Sequence, residues 1–173
     1  MCLGISLESL RDDVKWKAGR FYRREEVEKA IALYDDMGVI VDLYFLIGLP
    51  GDSVESIKKI PKYSFNIMRK HTHVWVVPPF PYTIDPNCPM ALKPGAYGVK
   101  LLFKSIESYR RAVLSKKWID QIGHETRELP RREIAKLTEE VNSRIRQAYS
   151  MGEFSENLEV RWKFEHETSS AGL

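Results

Sequence analysis

Short apolar runs alternate with longer amphipathic or polar stretches along the first part of the chain. Residues 3–8, 39–47 and 73–77 have the length of strands, and the middle run is apolar at nearly every position, as in a strand buried on both faces. Residues 24–37 place apolar side chains at the i, i+3, i+4, i+7 spacing of a helix, and residues 54–70 are predicted to form another. Strands that alternate with helices form right-handed βαβ units, so the pattern predicts an α/β fold with a parallel sheet.

Glycine, proline and short polar residues mark the ends of these elements. Gly38 directly follows the first helix and suits the left-handed backbone that ends helices. The turn that begins at Gly48 breaks the middle strand. Either Asp52 or Ser53 is placed to cap the next helix, and Pro61 is expected to kink it.

The second half of the chain carries weaker patterns. Residues 78–93, rich in proline, are predicted to form a long loop, followed by helices over residues 97–114 and 131–151. Pro130 suits the start of the second of these helices. Residues 158–164 alternate between apolar and polar side chains, which predicts a late edge strand.

Charge and apolar content exclude several classes of protein. The net charge of +3 is mild, and its arginine pairs are typical of solvated helix faces, so no nucleic-acid partner is expected. No apolar run approaches the roughly 20 residues that span a membrane, and no signal peptide is visible. We therefore expect a cytoplasmic protein with no membrane partner.

Cysteine and histidine spacing gives no sign of a metal site. Cys2 and Cys88 lie far apart in sequence without a CxxC or Cys–His pattern, so we expect buried thiols without a disulfide. His71 and His73 would share one face of an extended segment, but a metal ion needs more ligands than two.

A parallel sheet of three strands has two exposed apolar edges, which proteins usually avoid. Either further strands come from a segment that this chain lacks, or a second copy of the chain covers an edge.

Three motifs follow one another in the first 60 residues: a strand that ends in Glu8-Ser9, the segment GRFYRREE that opens a helix, and a strand that ends in IGLPGDS. In this order and spacing they resemble the part of radical S-adenosylmethionine (SAM) enzymes that follows the cluster motif, and are most similar to the cobalamin-binding branch. The later segments PPFPYTIDPNCPM and GHETRELPRREI also resemble loops of that branch.

This resemblance implies a partial TIM-type (β/α) barrel with parallel strands plus a C-terminal helical extension. Residues 1–115 would be the C-terminal half of the barrel, residues 116–166 a mainly helical family extension, and residues 167–173 a flexible tail.

The resemblance also implies cofactors for the complete protein. Such enzymes cleave SAM reductively with a 4Fe–4S cluster held by CxxxCxxC, and some also use cobalamin. That cysteine motif is absent from this chain, so the chain is not expected to perform radical chemistry alone. Leu10-Arg11 also replaces the small Gly-Ser that often follows the first strand in the family.

Five cofactor-binding residues follow from the resemblance, because ligands of parallel α/β folds lie at the carboxyl ends of the strands. Glu8 would accept a hydrogen bond from the SAM amino group, and Ser9 would add a hydroxyl. Arg20 would bind the SAM carboxylate, with a spacing from Glu8 that resembles the oxygen-independent coproporphyrinogen oxidases. Asp42 would bind ribose, and Gly48 would let the backbone approach the cofactor.

Each assignment has a structural alternative. Glu8 could be a cap or a surface carboxylate, Arg20 an exposed salt bridge, and Gly48 simple punctuation between strand and helix. Asp42, a charge within an apolar strand, is favoured to pair with a basic residue.

Two hypotheses about function follow. The chain is a fragment of a radical SAM enzyme, or it is a non-catalytic binding or assembly module derived from such a barrel. A third option, an unrelated α/β fold with a chance GLPG turn, would be established by antiparallel pairing of the three strands.

Overall fold

The chain folds as an α/β protein around a parallel sheet. The structure is a computed structural model that describes residues 1–170, with the side chains of residues 1–163 and 165. The strands are Cys2–Glu8 (β1), Ile40–Ile47 (β2), Val74–Val76 (β3), Phe80–Pro81 (β4), Val99–Leu101 (β5) and His124–Thr126 (β6). The helices are Asp12–Lys17 (α1), Arg24–Asp36 (α2), Val54–Lys58 (α3), Ile60–Lys70 (α4), Pro89–Leu92 (α5), Ile106–Val113 (α6), Arg131–Ser150 (α7) and Ser155–Ser170 (α8).

The main sheet has the order β1-β2-β3, and both pairings are parallel, as the sequence predicts. The antiparallel pairing that would have established an unrelated fold is therefore not observed among these three strands. β4 continues past β3 and pairs in parallel with the end of β2 at Leu46 and Ile47. β5 and β6 form a separate two-stranded antiparallel sheet that the sequence patterns missed. Within residues 1–170 the strands do not close into a barrel.

The helices cover one face of the sheet. Val41, Leu43 and Phe45 of β2 are fully buried in the main core, together with apolar side chains of α2, α3, α4 and α7. The opposite face of β2 carries Asp42 and the half-buried Tyr44. Burying each of the apolar side chains in this core contributes about 1.5–3 kcal/mol, so the packing of the helices on β2 is the main source of stability.

The helix predicted over residues 54–70 is divided at Lys59 into α3 and α4. Pro61 lies in the first turn of α4, where its missing N–H leaves no helical bond unmade. The hydroxyl of Ser53 accepts the N–H of Ser56 at 3.2 Å and caps α3, which decides between the two predicted capping residues.

Two predictions in the second half were wrong. Of residues 97–114 only Ile106–Val113 is α-helical, because Gly98 turns the chain with a φ of 68° into β5 and Ser105 caps a new helix. The alternating residues 158–164 lie in α8, where ion pairs four residues apart, such as Lys163 with Glu159 at 2.8 Å, support a helix. Of the predicted flexible tail, residues 167–170 belong to α8, and residues 171–173 lie outside the described residues.

The two edges of the sheet differ. On the outer side of β3, Asn157 donates to the carbonyl of Val74 at 3.0 Å and the Tyr149 hydroxyl donates to that of Val76. Pro79 and Pro81, at β4, have no N–H to offer a further strand. The expectation of two exposed edges is therefore wrong on the β3 side.

The outer side of β1 has no strand beside it within residues 1–170. Parallel pairing directs alternate residues to opposite sides. Because the N–H of Ile40 donates to the carbonyl of Met1, the backbone groups of Cys2 and Gly4 face outward. The sheet therefore remains open at β1.

No helix within residues 1–170 has both the length and the apolar character that crossing a membrane requires.

We expect Asn157→Ala to lower the free energy of unfolding by about 2–3 kcal/mol, because the buried carbonyls of Met68, His71 and Val74 lose their side-chain donor. Urea unfolding measures this loss. Asn66→Ala, at an exposed asparagine of α4, is the control and should change stability by less than about 0.5 kcal/mol. Equal effects of the two substitutions would contradict the role of Asn157.

Candidate functional site

An ion pair lies at the carboxyl end of β1. Glu8 is buried, and its Oε1 accepts a hydrogen bond from Nε of Arg20 at 2.8 Å. The Arg20 side chain is 56% exposed, so the pair is accessible from solvent on the arginine side. The sequence-predicted residues Glu8 and Arg20 are therefore brought together.

Glu8 has an unusual backbone. The pairing of β1 with β2 is irregular between Ser6 and Glu8, and Glu8 has a φ of 63°. Left-handed backbone is unfavourable for a residue with a Cβ and occurs often at functional sites. The bulge turns the Glu8 carboxylate toward Arg20.

Lys15 holds the segment that carries Arg20. The Lys15 side chain is fully buried, with Nζ 2.8 Å from Oδ1 of Asp12 and 5.1 Å from the centre of the Tyr22 ring. Its carbonyl accepts the N–H of Arg20 at 2.9 Å. Asp12 also accepts the N–H of Arg24 at 3.1 Å, at the start of α2. Lys15 was not among the residues predicted from the sequence, although an Asp-x-x-Lys spacing in a short helix signals such a pair.

A shallow open cleft of about 380 Å³ lies beside this ion pair. Its lining includes Glu8, Arg20 and Tyr22 together with Gly4 and Ser6 of β1. The Tyr22 hydroxyl donates to the Ser6 carbonyl, which holds the aromatic ring against the edge of the sheet. The cleft thus joins the ion pair to the open side of β1.

Ser9 is engaged within the protein. Its hydroxyl donates to Oδ2 of Asp52 at 3.1 Å, and both residues are buried. Asp52 also accepts the N–H of Ser53 at 2.9 Å and the hydroxyl of Ser56. The pKa of the Asp52 carboxyl is raised, because burial raises it more than these hydrogen bonds lower it. Ser9 therefore ties the end of β1 to the start of α3.

Gly48 serves the packing of the turn after β2. Its φ is 92°, and a Cβ there would lie 3.0 Å from Cδ1 of Ile134 in α7. Its carbonyl accepts a hydrogen bond from Nε2 of the fully buried His124 at 2.7 Å. The N–H of Gly51 donates to Glu128 at 3.2 Å. Residues from the second half of the chain thus fix the GLPG turn.

Asp42 is not part of this cluster. It lies opposite Gly4 in β1, whereas Glu8 lies opposite Phe45, three residues further along β2 or about 10 Å away. The Asp42 carboxylate forms an ion pair with Nη1 of Arg161 and accepts the thiol of Cys2 at 3.7 Å. Asp42 therefore pairs with a basic residue, which is the alternative that the sequence favoured.

The two histidines considered as metal ligands bind a carboxylate instead. Nδ1 of His71 and of His73 lie 3.0 and 2.9 Å from the two carboxylate oxygens of Asp35. Cys2 and Cys88 are free thiols. The expectation that they are buried is wrong, because Cys2 is exposed and Cys88 is half-buried.

Comparison with known proteins gave no match: no protein-family model matches the chain, and no curated protein is significantly similar to it in sequence.

Glycine and alanine at position 8 should separate backbone strain from loss of the ion pair. Both substitutions remove the carboxylate, but only alanine keeps a Cβ at a φ of 63°. We expect Glu8→Gly to be about 1 kcal/mol more stable than Glu8→Ala in urea unfolding. Alanine equal to glycine in stability would mean that the backbone relaxes.

His124 should make stability fall in mild acid. The pKa of His124 is lowered, because burial lowers it more than the hydrogen bond to Gly48 raises it. Below about pH 6.5 the unfolded chain therefore binds more protons than the folded chain. The free energy of unfolding decreases as the pH is lowered, with a limiting slope of about 1.4 kcal/mol per pH unit for one proton. Urea unfolding between about pH 7 and pH 5 should show a steeper loss for the natural chain than for His124→Gln, which keeps a donor but does not titrate. Parallel curves would contradict this role.

Proposed function

We propose that this chain is the C-terminal part of a radical SAM enzyme, closest to the cobalamin-binding branch. In complete form such an enzyme cleaves SAM with a 4Fe–4S cluster. The observation that carries the proposal is the Glu8–Arg20 ion pair at the carboxyl end of β1, formed by the two residues to which the motifs assign the amino and carboxylate groups of SAM.

The order of the strands supports a partial TIM-type (β/α) barrel. In such a barrel each strand lies beside its predecessor in sequence and runs parallel to it, as β1, β2 and β3 do. The closed side at β3 and the open side at β1 support the addition of strands at β1 alone. We propose that the missing N-terminal half of the barrel, or a second copy of the chain, covers that edge.

The residues of this chain do not fit the iron–sulfur cluster. Three thiolates from one loop are needed, and the chain has two cysteines, one in β1 and one after β4. The described residues contain no group of three metal-ligating side chains either. The cluster and cobalamin would have to be held by other parts of the complete protein, and we derive no reaction step for this chain.

The contribution of this chain would be to bind the amino-acid end of SAM. The Glu8 carboxylate suits an ammonium group, and the Arg20 guanidinium suits a carboxylate because two of its N–H groups can bind both oxygens. A zwitterion would therefore replace one ion pair by two. The free thiols agree with a reducing cytoplasm, in which we place the protein.

The alternative, a non-catalytic binding or assembly module, is favoured by a different observation. Glu8, Ser9 and Asp42 each already bind a protein group, namely Arg20, Asp52 and Arg161. Polar groups that are satisfied within the fold gain less from a ligand.

Calorimetric titration of SAM into the chain separates the two functions. We expect binding that weakens about tenfold in Glu8→Gln and in Arg20→Gln, since each removes one charge-assisted hydrogen bond. Arg69→Gln is the matched control, because Arg69 forms a 3.0 Å ion pair with Glu153 and its side chain is 58% exposed. That variant should bind as the natural chain does. A folded chain that binds no SAM at millimolar concentration would favour the module.

A further inference from the structure

Helix α6 directs its apolar side chains toward solvent. Ile106 is 88% exposed and Leu114, which follows the helix, is 71% exposed, and Val113 is exposed as well. The inner side of α6 carries the buried Ala112 and the half-buried Tyr109, whose hydroxyl donates to the carbonyl of Ile84 at 3.1 Å. The helix is thus anchored by its small and aromatic side chains and presents its large aliphatic ones outward.

Basic side chains surround these aliphatic residues. The segment 104–117 contains five exposed cations and one anion, whereas the whole chain has a net charge of +3. The positive charge of the protein is therefore concentrated here. The cations are Lys104, Arg110, Arg111, Lys116 and Lys117.

Little of this charge is neutralised within the fold. Among the described side chains, Arg110 lies 3.7 Å from the carboxylate of Glu107, and the other four cations form no ion pair. Trp118 comes next in the chain, partly exposed, with its indole N–H donating to Glu139 at 3.0 Å.

We propose that the α6 surface, the exposed side of residues 104–117, docks on the surface of an anionic lipid bilayer. Aliphatic side chains would enter the boundary between headgroups and acyl chains, and the cations would meet the anionic headgroups. Nucleic acid would match the cations but not the exposed isoleucine, valine and leucine. The combination of cations with exposed aliphatic side chains therefore favours an anionic lipid surface.

This site is separate from the ion pair at β1, so the inference does not rest on the proposed function. The inference departs from the sequence-based expectation of no membrane partner, because hydropathy does not show which side of a helix faces solvent. Only the fold shows that Ile106 and Leu114 point away from the core.

Co-sedimentation with lipid vesicles tests the proposal on the 173-residue chain. We expect binding to phosphatidylcholine vesicles that contain about 30% phosphatidylserine, and at least about tenfold weaker binding to phosphatidylcholine alone. The double substitution Ile106→Ser and Leu114→Ser should weaken binding about tenfold without changing the melting temperature, because both side chains are exposed. Leu33→Ser with Met37→Ser, at an exposed apolar residue of α2 and at the exposed methionine that follows the helix, is the matched control and should bind as the natural chain does.

A second variant tests the charge. Arg110→Gln with Arg111→Gln should weaken binding to anionic vesicles and reduce its dependence on salt, since the cations and not the aliphatic residues respond to screening. Equal binding to both kinds of vesicle, no binding to either, or an unchanged affinity in the serine variant would overturn the proposal. Binding of RNA in place of vesicles, lost in the glutamine variant, would also overturn it.

Discussion

Buried backbone carbonyls must find donors, and this requirement at the outer side of β3 determines how the chain is arranged. Asn157 in α8 and Tyr149 in α7 supply those donors to Val74 and Val76. To do so, α7 and α8 must pack beside the sheet. α7 accordingly lies in the same core as α3 and α4, so this C-terminal part is integral to the fold. A further strand could not be added at β3 without breaking these bonds.

The turn after β2 also depends on the second half of the chain. His124 binds the carbonyl of Gly48, Ile134 packs where a side chain at Gly48 would lie, and Glu128 binds the N–H of Gly51. Gly48 is thus required by packing within the protein. A GLPG motif in a sequence is therefore ambiguous, since close approach of a helix and close approach of a cofactor both demand glycine.

Strain and burial single out Glu8 among the candidate residues. A purely structural carboxylate at the end of a strand has no need of a left-handed backbone, which costs about 1–2 kcal/mol. Glu8 nevertheless adopts this backbone, and its side chain is directed at Arg20. The loop that carries Arg20 is held by the buried Lys15. This arrangement keeps two opposite charges together at the edge of a cleft, which is the feature on which the proposed function depends.

Local pattern was sufficient for the first half of the fold. The spacing of apolar residues predicted α2 and the three strands of the sheet. Ser53 was among the predicted caps, and Asp42 was expected to need a basic partner. Each of these predictions depends only on neighbours within a few residues. The segments 97–114 and 158–164 were mispredicted, since their periodicity is compatible with more than one structure and tertiary packing decided between them.

Only the tertiary structure could identify the partners. Arg161 lies 119 residues from Asp42, and His124 lies 76 residues from Gly48. The tertiary structure also decided that Ile106 faces solvent. It decided as well that the sheet edge at β3 is covered while the edge at β1 is open. The reason is physical: hydrophobic period and capping act over one or two turns of chain, whereas long-range pairs form only when burial of the whole core offsets the entropy of closing the loops between them.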